Sequence, residues 1–147
     1  MQLILRTYKL QLQHTFRISR QSFDHKMVLI VELKDGEHSG YGEASENPYY
    51  HQSVDDMILD LSKIKQHIEH DSEKTPEMFW EKMFPFLKGN MFALCALDMA
   101  YNDLYARKKG KKLYELWNYK TDNNILSNFT IGIDSIENMI FKMQETP

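Results

Sequence analysis

The spacing of apolar residues along this chain changes period at the loop Glu46-Asn47-Pro48-Tyr49-Tyr50-His51. Strands come before it and helices after it, so the chain is restricted to an α+β order. Leu3 and Leu5, then Tyr8, Leu10 and Leu12, alternate with a change of phase across Arg6-Thr7, which predicts a strand over 3–13. Residues 26–34 contain Met27-Val28-Leu29-Ile30-Val31-Glu32-Leu33, and Asp35-Gly36 follows as a hairpin signal, so a third strand is expected over 37–44. Gly40 and Gly42 lie in that third strand, where glycine marks a bulge or a close approach of another backbone. The three segments make one antiparallel sheet.

Beyond the loop the period is helical. Ser53 caps a helix whose stripe is Val54, Met57, Ile58, Leu61, Ile64 and Ile68, with Asp55 and Asp56 in the first turn. Thr75-Pro76-Glu77 opens a second helix presenting Met78, Phe79, Met83, Phe84 and Phe86. The longest helix is expected over 90–109, stopped by Gly110, and a short one over 112–117. A polar linker over 119–124, a strand over 124–133 and a Ser135-capped helix over 135–143 complete the order.

At 147 residues the chain has room for a buried core but not for a complete (β/α)-barrel, which takes about 250 residues. A net charge of −3 with both signs interspersed argues against nucleic acid as a partner. Lys108, Lys109, Lys111 and Lys112 fall where the long helix ends, a favourable place for cations beside the helix dipole. Cys95 is the single cysteine, so no intrachain disulfide forms, and its neighbours Ala93, Leu94, Ala96 and Leu97 predict a small buried thiol. No signal peptide or membrane-length apolar run is visible, and the cytoplasm is the expected location.

Asp98 and Asp103 stand five residues apart, about 140° around a helix, which keeps them from sharing one site. Asp103 is instead placed for an i,i+4 ion pair with Arg107. His14, His25, His38, His51, His67 and His70 form no metal-ligand spacing, and His67 and His70 with adjacent Asp71 are a weak pair without further ligands. Gly36, Gly40 and Gly42 make no dinucleotide fingerprint. Two loops carry more chemistry. His14-Thr15-Phe16-Arg17-Ile18-Ser19-Arg20, between the first two strands, sets an aromatic beside arginines that can grip a carboxylate, and the alternative is a solvated hairpin loop. Residues 46–51 offer two tyrosines of the amphipathic kind that close over small ligands, the alternative being a surface loop with half-buried rings.

Gly40-Tyr41-Gly42-Glu43-Ala44, the stretch from Ala93 to Arg107 with Gly110 and Leu113-Tyr114-Glu115-Leu116 behind it, and Thr130-Ile131-Gly132-Ile133-Asp134 together resemble the enolase superfamily, in its muconate-cycloisomerase branch. The resemblance covers essentially the whole chain. It implies an N-terminal capping domain over 1–119, followed over 120–147 by the first βα unit of a barrel. It also implies a Mg2+-dependent proton transfer α to a carboxylate, with a dipeptide epimerase of the Ala-Glu type as the nearest kind. Caps of muconate cycloisomerases, o-succinylbenzoate synthases and N-acylamino-acid racemases are alternatives, as is a noncatalytic cap-like module.

By the same resemblance the two cap loops contact a small carboxylate substrate at the barrel mouth. Arg17 pairs with a substrate carboxylate, Phe16, Ile18, Tyr49 and Tyr50 shape the pocket, and Thr130 sits at a strand end. The family's lysines and metal ligands have no counterpart before Pro147, so no catalytic residue and no metal ligand is assigned here. The 147 residues alone are expected to bind no Mg2+ and to be inactive. A homo-oligomer is expected, because a lone strand over 124–133 with Ile125, Leu126, Phe129, Ile131 and Ile133 invites pairing or stays unfolded beside a folded cap.

Overall fold

The computed structural model describes residues 1–19, 21–70, 74–120 and 128–145. They divide into two compact units, Met1–Tyr8 with Met27–Lys120, and Lys9–Lys26 with Thr121–Pro147. Three strands, β1 (Gln2–Ile18), β2 (Gln21–Asp35) and β3 (His38–Ser45), form an antiparallel sheet in the order β1-β2-β3, and helices follow. β2 and β3 pair from Val28 with Ser45 to Asp35 with His38, turning through Gly36 at φ +60°. The expected α+β order is what forms.

The first two strands are longer than their apolar alternation foretold, and the segment expected as a loop is mostly strand. Residues 14–18 belong to β1, because two long strands satisfy each other's backbone groups by pairing even where no core covers them. Arg20 lies outside the described residues, as do Asp71 and most of the expected linker over 119–124.

Ser53 caps α1 (Val54–Lys63), its Oγ accepting from the Asp56 N–H at 3.1 Å. The stripe continues in α2 (Lys65–Glu69), but the helix breaks at Ile64, whose ψ is 10°. Ile64 and Ile68 stay buried across the break, and no glycine or proline in the sequence announces it. Thr75 caps α3 (Pro76–Leu87) as expected. Its buried face is Phe79, Met83 and Leu87, whereas Met78, Phe84 and Phe86 are exposed. A single stripe at i, i+4, i+8 reaches the core, and the aromatics beside it do not.

α4 (Met91–Lys108) lies against β3 and also against α3 and α1. It therefore buries side chains around most of its circumference, Ala93, Leu94, Ala96, Leu97, Ala100, Tyr101 and Leu104 among them. Its cap, Asn90, is itself buried, accepting from the Ala93 N–H at 3.1 Å and donating to Asp60 on α1 at 3.1 Å. Tyr101 stacks on Phe79 with centroids 3.8 Å apart and donates its hydroxyl proton to the Lys74 carbonyl at 2.9 Å. Cys95 is exposed, not buried. Residues adjacent in sequence are about 100° apart on a helix, and Cys95 falls on the stripe of exposed Met91 and Met99.

The sheet meets α4 backbone to backbone. A Cβ on Gly42 would stand 1.9 Å from the Ala96 carbonyl oxygen, and one on Gly40 would stand 2.2 Å from both the Ala100 oxygen and the Leu104 nitrogen. The close approach anticipated at these glycines is present, and Ala96 and Ala100 opposite them are small enough to allow it. Asp103 then caps the edge of β3, accepting from the Tyr41 N–H at 3.0 Å and from Arg107 Nε at 3.0 Å. Lys108 does more than sit at a helix end, since its ammonium meets Asp35 at the end of β2. α5 (Leu113–Leu116) follows Gly110, whose φ of +64° ends the longer helix.

On the opposite face of β2, Glu32 is a buried carboxylate surrounded by donors. Arg6 pairs with it, Ser39 Oγ donates at 2.9 Å, and the Tyr41 hydroxyl lies at 3.4 Å. Arg6 first, then Ser39 and Tyr41, hold its carboxyl below the usual carboxylate range against the opposing effect of burial.

Two predictions follow from this packing. Gly42→Ala should cost about 3 kcal/mol, the upper end of overpacking, because the obstacle is helix backbone. Gly36→Ala, in open space but at positive φ, should cost about 1 kcal/mol. Urea midpoints measure both, and equal small losses would mean that α4 yields. For Glu32 the folded-state pKa is depressed, so its stabilisation is present above the unfolded value of about 4.3 and is lost as pH falls through the folded value. Arg6→Met should therefore be less stable than the parent at pH 7, with a gap that narrows below about pH 4. A gap that stays constant across an acid titration of stability would contradict this.

Candidate functional site

In the second unit the outer part of the β1–β2 hairpin packs on residues 128–134 and on α6 (Ile136–Glu145). The expected strand over 124–133 is not formed across its described part, 128–133; residues 124–127 lie outside the described residues. A strand needs a neighbour along its length, and among the described residues one backbone hydrogen bond joins the segment to the hairpin, from the Ile133 N–H to the Arg17 carbonyl at 2.7 Å. Gly132 makes that approach possible, since a Cβ there would stand 2.9 Å from the Arg17 nitrogen and 3.1 Å from its oxygen.

A cavity of about 330 Å3 opens beside this contact. Phe16, Phe23 and Phe129 give it apolar walls, with Phe16 and Phe23 centroids 5.5 Å apart, and Thr130 and Ile131 complete the side opposite the hairpin. Lys26, His14 and Lys142 reach the same space. Lys142 Nζ is 2.8 Å from Asp134 Oδ2, and His14 Nε2 is 3.1 Å from Glu145 Oε2. Asp134 also accepts from Asn138 Nδ2 at 3.0 Å and from the Ser135 N–H at 2.8 Å. Lys142 foremost, then these donors, hold its carboxyl far below the usual range. That carboxylate closes the start of α6, helped by the Ser135 hydroxyl, which accepts from the Asn138 N–H at 3.3 Å.

Of the residues singled out from sequence, Phe16 and Thr130 are brought into this one cavity. Arg17 and Ile18 are exposed on the hairpin beside it and do not line it. Tyr49 and Tyr50 belong to the first unit. They lie on a 3-10 turn, Pro48–Tyr50, fixed by Asn47 Oδ1, which accepts from the Tyr49 N–H at 3.1 Å, and by His51 at φ 52°. Their rings meet edge to face at 5.0 Å, and Tyr50 reaches Phe92 at 5.9 Å, yet both remain about 60% exposed.

The two aspartates weighed as a pair are separated as the helix spacing required. Asp98 faces a cleft of about 430 Å3 between α3 and Trp117, with Trp80, Glu77 and Glu81. Burial pushes its carboxyl up, the Asn102 amide at 3.2 Å works against that, and Glu77 adds to the rise. Sequence reading missed this cleft, because Trp117 is distant in the chain and only folding sets it there. Among the described residues no three His, Cys, Asp or Glu side chains are grouped so that they could hold a metal ion, and no helix is long and apolar enough to cross a membrane. These residues do not fit a Mg2+ site.

Residues 2–117 match the mandelate racemase / muconate lactonizing enzyme N-terminal domain. The chain belongs to this family. An L-Ala-D/L-amino acid epimerase from Flavobacterium johnsoniae is 60% identical over 147 residues, all of this chain and 44% of the relative. One of the same description from Maribacter is 44% identical, again over all of this chain and 43% of the relative. The chain thus spans less than half the length of the curated relatives it matches. Among solved structures, a dipeptide epimerase from Enterococcus faecalis complexed with Mg and the dipeptide L-Leu-L-Tyr superposes with a TM-score of 0.85 at 26% identity, covering 96% of this chain and 40% of that one. The family's capping-domain architecture, a three-stranded sheet followed by a helical bundle, is the architecture described above.

The cavity depends on the contact at Gly132. Gly132→Ala should disturb it and speed amide exchange at Ile133 on the order of tenfold, the low end of an overpacking cost. Unchanged exchange at Ile133, read by NMR, would show that the hairpin and residues 128–134 separate without loss.

Proposed function

We propose that this chain is the capping part, 1–119, and the opening βα segment, 120–147, of a Mg2+-dependent dipeptide epimerase, an isomerase that moves a proton at the carbon α to a carboxylate. The observation that carries the proposal is the 60% identity, along all 147 residues, to an L-Ala-D/L-amino acid epimerase. The cavity that joins Phe16 to Thr130 supports it. Its apolar walls suit the body of a small peptide.

The proposed substrate contacts are Phe16, Arg17, Ile18 and Thr130 in one unit and, separately, Tyr49 and Tyr50 in the other. None of them removes the proton. Their part is binding and orientation, which raises the rate by holding the reacting carbon in place. A homo-oligomer in the cytoplasm completes the proposal, in keeping with an exposed free thiol at Cys95, which suits a reducing compartment.

The test is α-proton exchange in D2O, followed by NMR, with the full-length gene product, Mg2+ and a panel of L-Ala-X dipeptides. At least one should exchange, and chelation should stop it. Phe16→Ala should lower kcat/KM on the order of tenfold by opening the cavity wall. A panel in which nothing exchanges would sink the epimerase reading.

A further inference from the structure

The cleft between α3 and Trp117 collects carboxylates and supplies them with no cation. Glu77 and Glu81 come from α3, Asp98 and Asn102 from α4, and Trp80 and Trp117 complete it, all within the first unit. No lysine or arginine lines it, and among the described residues none of the three carboxylates forms an ion pair. Asp98 is half-buried, and Glu77 is near enough to add to the rise that burial causes in its carboxyl. A second observation lies deeper. Asn102 is 8% exposed, and its Nδ2 donates to the Asp98 carbonyl at 3.0 Å and to Asp98 Oδ1 at 3.2 Å. Among the described residues nothing donates to Asn102 Oδ1 or to Asp98 Oδ2. A buried amide oxygen left without a donor is costly, so this end of the cleft is short of N–H groups.

A metal ion does not answer that need. No three His, Cys, Asp or Glu side chains among the described residues are grouped closely enough to hold one, so the carboxylates share a space without meeting at a point. A cation that spans them has to be larger and carry several donors. Guanidinium presents five N–H groups in one plane, stays charged, sheds water more readily than ammonium and stacks on aromatic rings. A cleft of about 430 Å3 is of the size that takes a small ligand or a long side chain.

We propose that this cleft binds the guanidinium group of a ligand, with Asp98 and Asn102 Oδ1 accepting its N–H donors and Trp80 and Trp117 packing on its plane. Glu77 and Glu81, both exposed, supply negative charge at the entrance. The inference goes beyond the epimerase reading and does not rest on it, since none of these residues is among the proposed substrate contacts. The guanidinium comes either from a free small molecule or from an arginine side chain in a peptide.

Calorimetric titration of the full-length gene product at fixed ionic strength separates these sources, with L-argininamide and acetyl-Gly-Arg-Gly-amide as probes and L-lysinamide as the control. Binding of L-argininamide alone marks a small-molecule site, and binding of the peptide marks a site for arginine side chains. Asp98→Asn should weaken either probe on the order of tenfold, as for a lost hydrogen bond to a charged group. The new amide still accepts from Asn102. Trp117→Leu removes a ring that is 63% exposed and so spares the core, and it should weaken binding about two- to fivefold, the range of an exposed cation–π contact. L-lysinamide should bind at least about threefold more weakly than L-argininamide. No binding of either guanidinium probe by the parent, equal binding of L-lysinamide, or binding that either substitution leaves unchanged would each overturn the assignment.

Discussion

Gly40 and Gly42 on β3 let the strand rest on the backbone of α4, with the Ala96 and Ala100 carbonyls where side chains would otherwise stand. Much of the first unit depends on that contact. On this face of β3 the two glycines leave only Ala44 to add to the core, so most of the apolar filling comes from β2, through Leu29, Val31 and Leu33, and from α4 itself. α4 then presents its remaining surface to α1 and α3. A helix enclosed in this way shows little amphipathic bias, which is why its apolar residues do not fall into a single stripe.

Close packing of backbones leaves polar groups that must be satisfied. The Tyr41 N–H, on the edge of β3 away from β2, is taken by Asp103, which Arg107 holds in place. Asp35 collects Lys108 and the chain's amino terminus, tying the end of β2 to the end of α4 and to the start of β1. Glu32 gathers Arg6, Ser39 and Tyr41 across all three strands. Each of these carboxylates looks in sequence like an ordinary surface charge. In the structure each closes a seam, and for Glu32 and Asp35 the charged partners outweigh the burial that would otherwise favour the protonated form.

The second unit follows another logic. The hairpin carries few buried side chains of its own, and residues 128–134 make little regular structure, yet Gly132 allows the two to touch and Asp134 anchors the helix that follows. The cavity between Phe16 and Thr130 is a product of that contact. Lys142 is held there by Asp134, the His14 ring meets Glu145, and Lys26 lies over the Phe23 ring.

The sequence by itself determined the order of strands and helices, the caps at Ser53 and Thr75, the stop at Gly110 and the Asp103–Arg107 pair, and it allowed the close approach, one of the two options glycine offered at Gly40 and Gly42. All are set by local spacing or by conformations that only certain residues adopt. The family signature was legible for the same reason, since its motifs sit where backbone geometry leaves little choice. Tertiary structure alone decided the rest. It turned residues 14–18 from loop into strand, broke the first helix at Ile64, exposed Phe84, Phe86 and Cys95, and left 128–133 without a ladder. It also separated Arg17 from the cavity that Phe16 lines and brought Lys26 into it. Those outcomes depend on which distant element supplies a neighbour, and a periodicity read along one segment holds no information about what will pack on it.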